Sequence, residues 1–333
     1  MQFSDLGTSG IKVSKMTIGS LHMGAFVDEK MTERILDLAI DRGINLIDTS
    51  PNYGNGNAEK LVGKYTKNRK NKVLIASKVG LKVKQRNGHF GVEKMSLTRE
   101  NIIKSIDNSL SDLQRDCIDY FQLHCFDEVT PLFETFSTLS DLIISGKIRA
   151  FGVCNYENSD LRLVTNFLKE NGLPSIKGIQ CHYNLLERRF ESELQPVVKK
   201  EKMGILCYQS LARGILSNKY IFGEAKPKNS RGESSARLDR LLTKKTLEYV
   251  KGVAAIAQEY HLTPTQLALG WLLTNPQVSS IVLGNRNDEQ LSSSLQLYDK
   301  KFPREVNNKI NELTKEFSFL KEFSSRPNPF LET

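Results

Sequence analysis

The sequence predicts an α/β fold, a TIM-type (β/α)8 barrel with an N-terminal β-hairpin that closes one end. Eight short apolar runs, typical of strands, alternate with segments whose apolar residues repeat at helical spacing. Runs such as 73–76 are apolar without alternation, as expected for parallel strands that are buried on both faces. The predicted strands span residues 16–18, 45–48, 73–78, 118–124, 148–153, 178–181, 205–208 and 280–283.

Helical periodicity is clearest in three segments between these strands. Their apolar faces consist of Ile35, Leu36, Leu38 and Ala39; of Ile102, Ile103, Ile106, Leu110 and Leu113; and of Leu247, Val250, Val253, Ala254 and Ala257. A further helix is predicted to begin at Thr263, because a capping Thr followed by Pro264 and Gln266 satisfies the first N–H groups of a helix.

The 333 residues are expected to form one domain, 1–333, because α/β barrels run longer than most domains. Residues 1–15 are predicted to form the closing hairpin, with its turn at 7–10, and the tail 319–333 is predicted to be loop. The polar segment 214–240 predicts a long loop after the seventh strand. Loops of this length in compact domains are usually functional or mobile.

Composition and charge indicate a folded chain and limit which kinds of partner it could bind. Apolar residues make up 39% and charged residues 26%, which is enough apolar surface for a packed core and excludes an intrinsically disordered chain. The 47 Lys and Arg exceed the 38 Asp and Glu, so the formal charge is +9, which suits nucleic acid, a membrane surface or an anionic small molecule. The basic residues are scattered, and no stripe interleaves them with aromatics, so we expect no nucleic-acid partner.

The cysteines, the first residues and the lack of a long apolar run predict a cytoplasmic protein without a membrane partner. The cysteine count is odd and no CxxC pair occurs, so we interpret Cys117, Cys125, Cys154, Cys181 and Cys207 as reduced thiols. No apolar run reaches the roughly 20 residues needed to span a bilayer. The first residues do not show the pattern of a secretory signal.

Polar residues end three consecutive predicted strands. Asp48 ends the second strand and is followed by Tyr53, Lys78 ends the third, and His124 ends the fourth. Active sites of such barrels lie at the carboxyl ends of the strands, so we expect these four side chains to converge there. An ammonium about 4 Å from a phenol is worth roughly 4 kcal/mol, or about three pKa units, at an effective dielectric near 20. Lys78 is therefore predicted to bring the pKa of Tyr53 towards neutrality, with Asp48 keeping the lysine charged.

Three segments resemble signatures of the aldo-keto reductase superfamily: DTSPNYG at 48–54 with Glu59, ASK at 76–78, and IDYFQLH at 118–124. The resemblance extends in order over nearly the whole chain. It implies that Tyr53 is the general acid/base, that Lys78 modulates its pKa with Asp48 as partner, and that His124 orients the carbonyl. It also implies reversible reduction of aldehydes or ketones with a nicotinamide cofactor, usually NADPH, bound across the barrel mouth without a Rossmann fold.

The same resemblance assigns cofactor contacts. Cys154, Asn155 and Gln180 would face the carboxamide, and Tyr208 would stack on the nicotinamide ring. The pyrophosphate would lie against Ser210, Leu211 and Gly214, and the adenosine end against Gly284, Arg286 and Gln290. The chain departs from the family where Cys154 replaces a more usual Ser or Thr and where Gln290 replaces Arg. NADPH is therefore the expected cofactor, with NADH as the alternative.

The substrate is expected to be a small carbonyl compound or alcohol, a sugar derivative if the pocket is polar and a generic aldehyde if it is apolar. Candidate wall residues are Phe26, Phe90, Phe126 and Tyr156. Candidate pocket segments are the loops 21–27, 80–94 and 125–129, the long loop after the seventh strand and the tail. No ligand spacing for a metal is found, so no metal is predicted. The rival interpretation is a cofactor-binding regulatory subunit of the same fold, such as the potassium-channel β subunits. A monomer or weak homo-oligomer is expected.

Overall fold

The computed structural model describes residues 1–86, 89–217, 219–220, 236–299 and 302–316. The described strands, in chain order, are β1 (Phe3–Asp5), β2 (Lys12–Ser14), β3 (Met16–Gly19), β4 (Leu46–Asp48), β5 (Leu74–Val79), β6 (Leu81–Arg86), β7 (His89–Lys94), β8 (Ile118–Leu123), β9 (Ile148–Cys154), β10 (Gly178–His182), β11 (Gly204–Tyr208) and β12 (Val278–Leu283).

The described helices, in chain order, are α1 (Glu29–Asp41), α2 (Ala58–Thr66), α3 (Arg99–Leu113), α4 (Leu132–Ile144), α5 (Asn158–Glu170), α6 (Arg189–Glu193), α7 (Gln195–Lys200), α8 (Ala236–Leu241), α9 (Lys244–Glu259), α10 (Pro264–Thr274), α11 (Asp288–Leu295) and α12 (Arg304–Glu316). Short 3-10 turns cover Tyr53–Gly56, Lys67–Arg69, Ala212–Gly214 and Gln296–Asp299.

The predicted fold class is confirmed, because eight parallel strands close into a barrel in the order β10-β11-β12-β3-β4-β5-β8-β9. Every neighbouring pair in this ring is parallel. Each predicted barrel strand is found, with ends that differ by one or two residues. The predicted start of α10 is also confirmed, since Thr263 and Gln266 form a reciprocal capping box with Pro264 in the first turn.

The N-terminal hairpin closes the amino-terminal end of the barrel, as predicted. Strands β1 and β2 pair antiparallel, and the Ser4 hydroxyl donates to the Ser279 carbonyl at 2.7 Å, near the start of β12. Leu6 is fully buried among residues of the barrel interior, which include Leu46, Ala76, Tyr120, Ala150 and Leu206. The hairpin therefore supplies the bottom of the interior core and leaves the carboxyl ends of the strands for a site.

Two predicted loops are wrong in part. Segment 80–94 was expected to be loop, but β6 and β7 form an antiparallel hairpin there, with Leu81 opposite Lys94. Segment 214–240 was expected to be loop, but α8 begins at Ala236 within it; residues 218 and 221–235 lie outside the described structure. The predicted tail 319–333 also lies outside the described residues. No helix in the described part of the chain is long and apolar enough to cross a membrane.

Candidate active site

A buried ion pair joins the ends of β4 and β5. The Lys78 ammonium donates to Asp48 Oδ2 at 2.7 Å, to Asp48 Oδ1 at 2.8 Å and to the Thr49 carbonyl at 3.0 Å. The side chains of Lys78 and Asp48 are 0% and 3% exposed. All three N–H groups of the ammonium therefore have acceptors in place of water, as a buried cation requires.

Two glutamine amides also hold Asp48. Gln180, on β10, donates through Nε2 to Asp48 Oδ1 at 2.7 Å, and Gln122, on β8, donates to the same oxygen at 3.2 Å. The Cys154 thiol donates to Gln180 Oε1 at 3.6 Å. Gln180 was predicted as a carboxamide contact, and in this structure its amide nitrogen faces Asp48. Gln122 was not among the predicted site residues. Its position could have indicated it, because residues two apart in a strand face the same side, and Gln122 is two positions before His124.

Tyr53 lies in the turn that follows β4. Gly54 allows this turn, because its φ is +56° and a Cβ there would lie 1.8 Å from the Met23 carbonyl oxygen. The Tyr53 ring is buried, with the Lys78 Nζ 4.6 Å from its centroid and the His124 ring in edge contact at 5.9 Å. The four predicted side chains thus converge at the barrel mouth.

The pKa of Tyr53 does not follow the prediction made from Lys78 alone. Burial raises the pKa of Tyr53 well above its ordinary value, and the negative charge of Asp48 raises it further. The expected shift towards neutrality is wrong here because the ammonium hydrogen bonds go to Asp48 and Thr49. Tyr53 therefore holds its proton at neutral pH and can act as an acid.

The pKa of His124 is lowered well below its ordinary value by burial and then by the Lys78 charge. Its imidazole is therefore neutral, and it lies 3.4 Å from the Ser50 hydroxyl through Nδ1. A neutral imidazole can donate one hydrogen bond to a carbonyl oxygen without adding a second cation beside Lys78.

A second polar group crosses the mouth next to His124. Tyr208 donates its hydroxyl to Asn155 Oδ1 at 2.6 Å, and Asn155 Nδ2 donates to the His124 carbonyl at 2.9 Å. The His182 ring stacks on Tyr208 with centroids 5.5 Å apart. The structure therefore brings the predicted contacts Asn155 and Tyr208 together with the predicted catalytic residues, beside the buried Cys154.

The remaining predicted cofactor contacts follow β11 and β12. Ser210 donates its hydroxyl to the Val282 carbonyl at 3.3 Å, and it is followed by Leu211 and by Gly214, which has a φ of +93°. Gln290 Oε1 accepts from the Arg286 backbone N–H at 3.0 Å, so this side chain braces the loop that begins at Gly284.

Two cations, Lys219 and Arg286, interact electrostatically in this region. Burial lowers the pKa of Lys219, and the positive charge of Arg286 lowers it further. The Arg286 guanidinium also lies 5.1 Å from the Phe26 ring centroid. The two positive charges make this region electropositive, so the residues present fit the phosphate groups of a dinucleotide. Lys219 was not among the predicted contacts, and its place in the polar 214–240 segment gave no specific signal.

The predicted wall residues are partly structural. Phe126 and Tyr156 pack edge to face at 5.3 Å, and Tyr156 is buried. Phe26 is 74% exposed and contacts the edge of the His22 ring, whereas the Phe90 side chain lies outside the described structure. Within the described residues, no group of three or more His, Cys, Asp or Glu could hold a metal ion.

Comparison with known proteins agrees with this architecture. A sequence model of the Aldo/keto reductase family matches residues 15–315. The aldo-keto reductase YhdN of Bacillus subtilis (strain 168) is 31% identical over 300 residues, covering 88% of this chain and 87% of the relative. The L-glyceraldehyde 3-phosphate reductase of Escherichia coli (strain K12) is 29% identical, covering 89% and 87%.

The chain is also similar to a protein whose name indicates a different role. A probable voltage-gated potassium channel subunit beta of Oryza sativa subsp. japonica is 29% identical over 307 residues, covering 90% of this chain and 92% of the relative. The family match covers most of the chain, and the closed barrel is the fold that the resemblance implied. The chain belongs to the aldo/keto reductase family.

Proposed function

We propose that this chain is an NAD(P)H-dependent oxidoreductase that reversibly reduces aldehydes or ketones to alcohols. The observation that carries the proposal is the charged Lys78 buried against Asp48 beneath the ring of a protonated Tyr53. Burial of an ion pair away from water carries a desolvation penalty that lowers stability. We attribute its presence here to proton transfer by Tyr53. The family membership and the relative named as a sugar-phosphate reductase support the same activity.

When bound, the cofactor supplies a hydride to the carbonyl carbon. Neutral His124 donates a hydrogen bond that orients the carbonyl oxygen, and the Tyr53 hydroxyl delivers its proton to that oxygen as negative charge develops there. The Lys78 charge then stabilises the phenolate left on Tyr53. In the direction of alcohol oxidation, the same phenolate accepts the proton.

Asn155, Gln180 and Cys154 would hold the carboxamide end of the cofactor, with Tyr208 against the ring. Ser210, Leu211 and Gly214 would cover the pyrophosphate, and Gly284, Arg286 and Gln290 would receive the adenosine end. Arg286 and Lys219 would favour NADPH over NADH, because the 2′-phosphate adds negative charge and this region is electropositive. We also propose a single domain over 1–333, acting in the cytoplasm as a monomer or weak homo-oligomer; the five free thiols support a reducing compartment.

The second candidate is a regulatory subunit that binds the cofactor with little turnover, as the potassium-channel relative suggests. A panel of aldehydes, ketones, sugar phosphates and alcohols separates the two, with oxidation of NADPH and NADH followed by absorbance. We expect steady turnover of at least one carbonyl, faster with NADPH. Tight dinucleotide binding with no turnover across the panel would instead favour the regulatory subunit.

A further inference from the structure

Asp48 receives more hydrogen bonds than an ion pair with Lys78 requires. Its Oδ1 accepts from the Lys78 ammonium at 2.8 Å, from Gln180 at 2.7 Å and from Gln122 at 3.2 Å. All four side chains are buried. Gln122 lies directly beside Lys78 in the barrel wall, since the two residues are paired in the register of β5 and β8.

We propose that Gln122 is a positioning residue of the proposed reaction, which holds the Asp48 carboxylate so that the Lys78 charge acts on Tyr53. This role rests on the proposed oxidoreductase function. The orientation of the Gln122 amide is fixed, because an ionised carboxylate only accepts hydrogen bonds and Nε2 must face it. Each amide donor offsets part of the Asp48 charge that would otherwise neutralise the ammonium.

The other end of the Gln122 amide supports this assignment. Its Oε1 is buried and has no hydrogen-bond partner within the described structure. A buried acceptor without a partner destabilises a fold, and an apolar residue of similar size would avoid that cost. The contribution of the glutamine is therefore its donor to Asp48 rather than its packing.

The titratable groups that face Tyr53 come from five places in the barrel: Asp48 on β4, Lys78 on β5, His124 after β8, Cys154 on β9 and Tyr208 on β11. Burial raises the pKa of Cys154 and Tyr208 and lowers that of His124, so these three are neutral near neutral pH. Within the described structure, Asp48 and Lys78 are then the charges that decide how readily Tyr53 ionises.

Loss of the Gln122 donor leaves more of the Asp48 negative charge to oppose the Tyr53 phenolate. Alcohol oxidation needs the phenolate, so its rate should require a higher pH. Carbonyl reduction leaves the phenolate on Tyr53, so a less stable phenolate should slow reduction as well, by the same factor as oxidation at a given pH below the midpoint. A merely structural loss would lower both rates without moving the pH midpoint of oxidation.

The test uses Gln122→Met and Gln122→Leu in the full chain. The matched control is Tyr120→Phe, because the Tyr120 hydroxyl is buried on the same strand and has no hydrogen-bond partner among the described residues. The pH profile of kcat/KM is measured for alcohol oxidation with NADP+ and for carbonyl reduction with NADPH, and the thermal midpoint is recorded for each variant.

We expect the oxidation midpoint to rise by about one pH unit in both Gln122 variants. At neutral pH oxidation and reduction should slow together, by no more than about tenfold, and Tyr120→Phe should keep the parent profile. An unshifted midpoint in variants of an active parent would overturn the role of Gln122 alone. A parent that turns over no carbonyl would instead overturn the proposed function, and the role of Gln122 with it.

Discussion

At the scale of single residues, the site depends on a lysine that stays charged without water. The ammonium of Lys78 is fully buried, and burial alone would favour its neutral form. Asp48 and the Thr49 carbonyl replace water around the ammonium by accepting all three N–H groups. Removal of one partner leaves the other as an uncompensated buried charge.

This pair predicts a specific stability pattern. Lys78→Met should lower the free energy of unfolding by about 3–5 kcal/mol, because Asp48 is left buried without its cation. The double variant Lys78→Met/Asp48→Asn should recover most of that loss, since the charge itself is gone. Urea denaturation of the parent, Lys78→Met, Asp48→Asn and the double variant measures these free energies of unfolding. A double variant no more stable than Lys78→Met would contradict the account.

At the scale of elements, a single buried carboxylate joins a strand to two helices beside the site. Glu59 on α2 accepts from the Ser77 hydroxyl of β5 at 2.5 Å and from the Ser109 hydroxyl of α3 at 3.0 Å. Burial raises the pKa of Glu59 to about 7, against the two hydroxyl donors that lower it. Ser77 precedes Lys78, so this contact also fixes the end of β5.

The raised pKa predicts how stability depends on pH. The folded state holds the Glu59 proton up to about pH 7, whereas the unfolded chain releases it near 4.5, so this contribution is lost as the pH rises through 7. Between about pH 5 and about pH 8 the parent should lose about 2–3 kcal/mol relative to Glu59→Gln. Urea denaturation at the two pH values measures this difference. If the stability of parent and variant depended on pH in the same way, the raised pKa of Glu59 would not be its cause.

Elements were predictable where the chain carries a local signal. The start of α10 followed from Thr263, Pro264 and Gln266, whose side chains act within one turn. The β6–β7 hairpin was not predicted, even though Leu81 and Val83 alternate with lysines, and this period of two is typical of a strand. The end of the predicted 214–240 loop was wrong because α8 (Ala236–Leu241) is too short for its apolar residues to show a helical repeat.

At the scale of the whole molecule, barrel closure brings together residues that are far apart in the chain. The convergence of Asp48, Lys78 and His124 was predictable, because parallel strands carry their carboxyl ends to one face. The contact between Gln180 and Asp48 spans 132 positions and depends on side-chain packing inside the closed ring. Strand order alone cannot specify such rotamers, and for the same reason the raised pKa of Tyr53 was not anticipated.

Closure also makes the interior core dependent on the N-terminal hairpin. Leu6→Ala should destabilise the protein by about 2–5 kcal/mol, because it opens a cavity among fully buried residues. Phe3→Ala, on the same hairpin but 50% exposed, should stay within about 0.5 kcal/mol of the parent. Chemical denaturation gives both values. Equal losses in the two variants would mean that the hairpin does not seal the barrel.

The central claim is that Tyr53, set above the buried Lys78–Asp48 pair, transfers the proton. The most direct measurement is the turnover of Tyr53→Phe with NADPH and a carbonyl that the parent reduces, together with its dinucleotide affinity. The account predicts that kcat falls by about 10²–10⁴-fold while affinity for NADPH stays the same. A variant that turns over at the parent rate, with the cofactor bound as before, would contradict it.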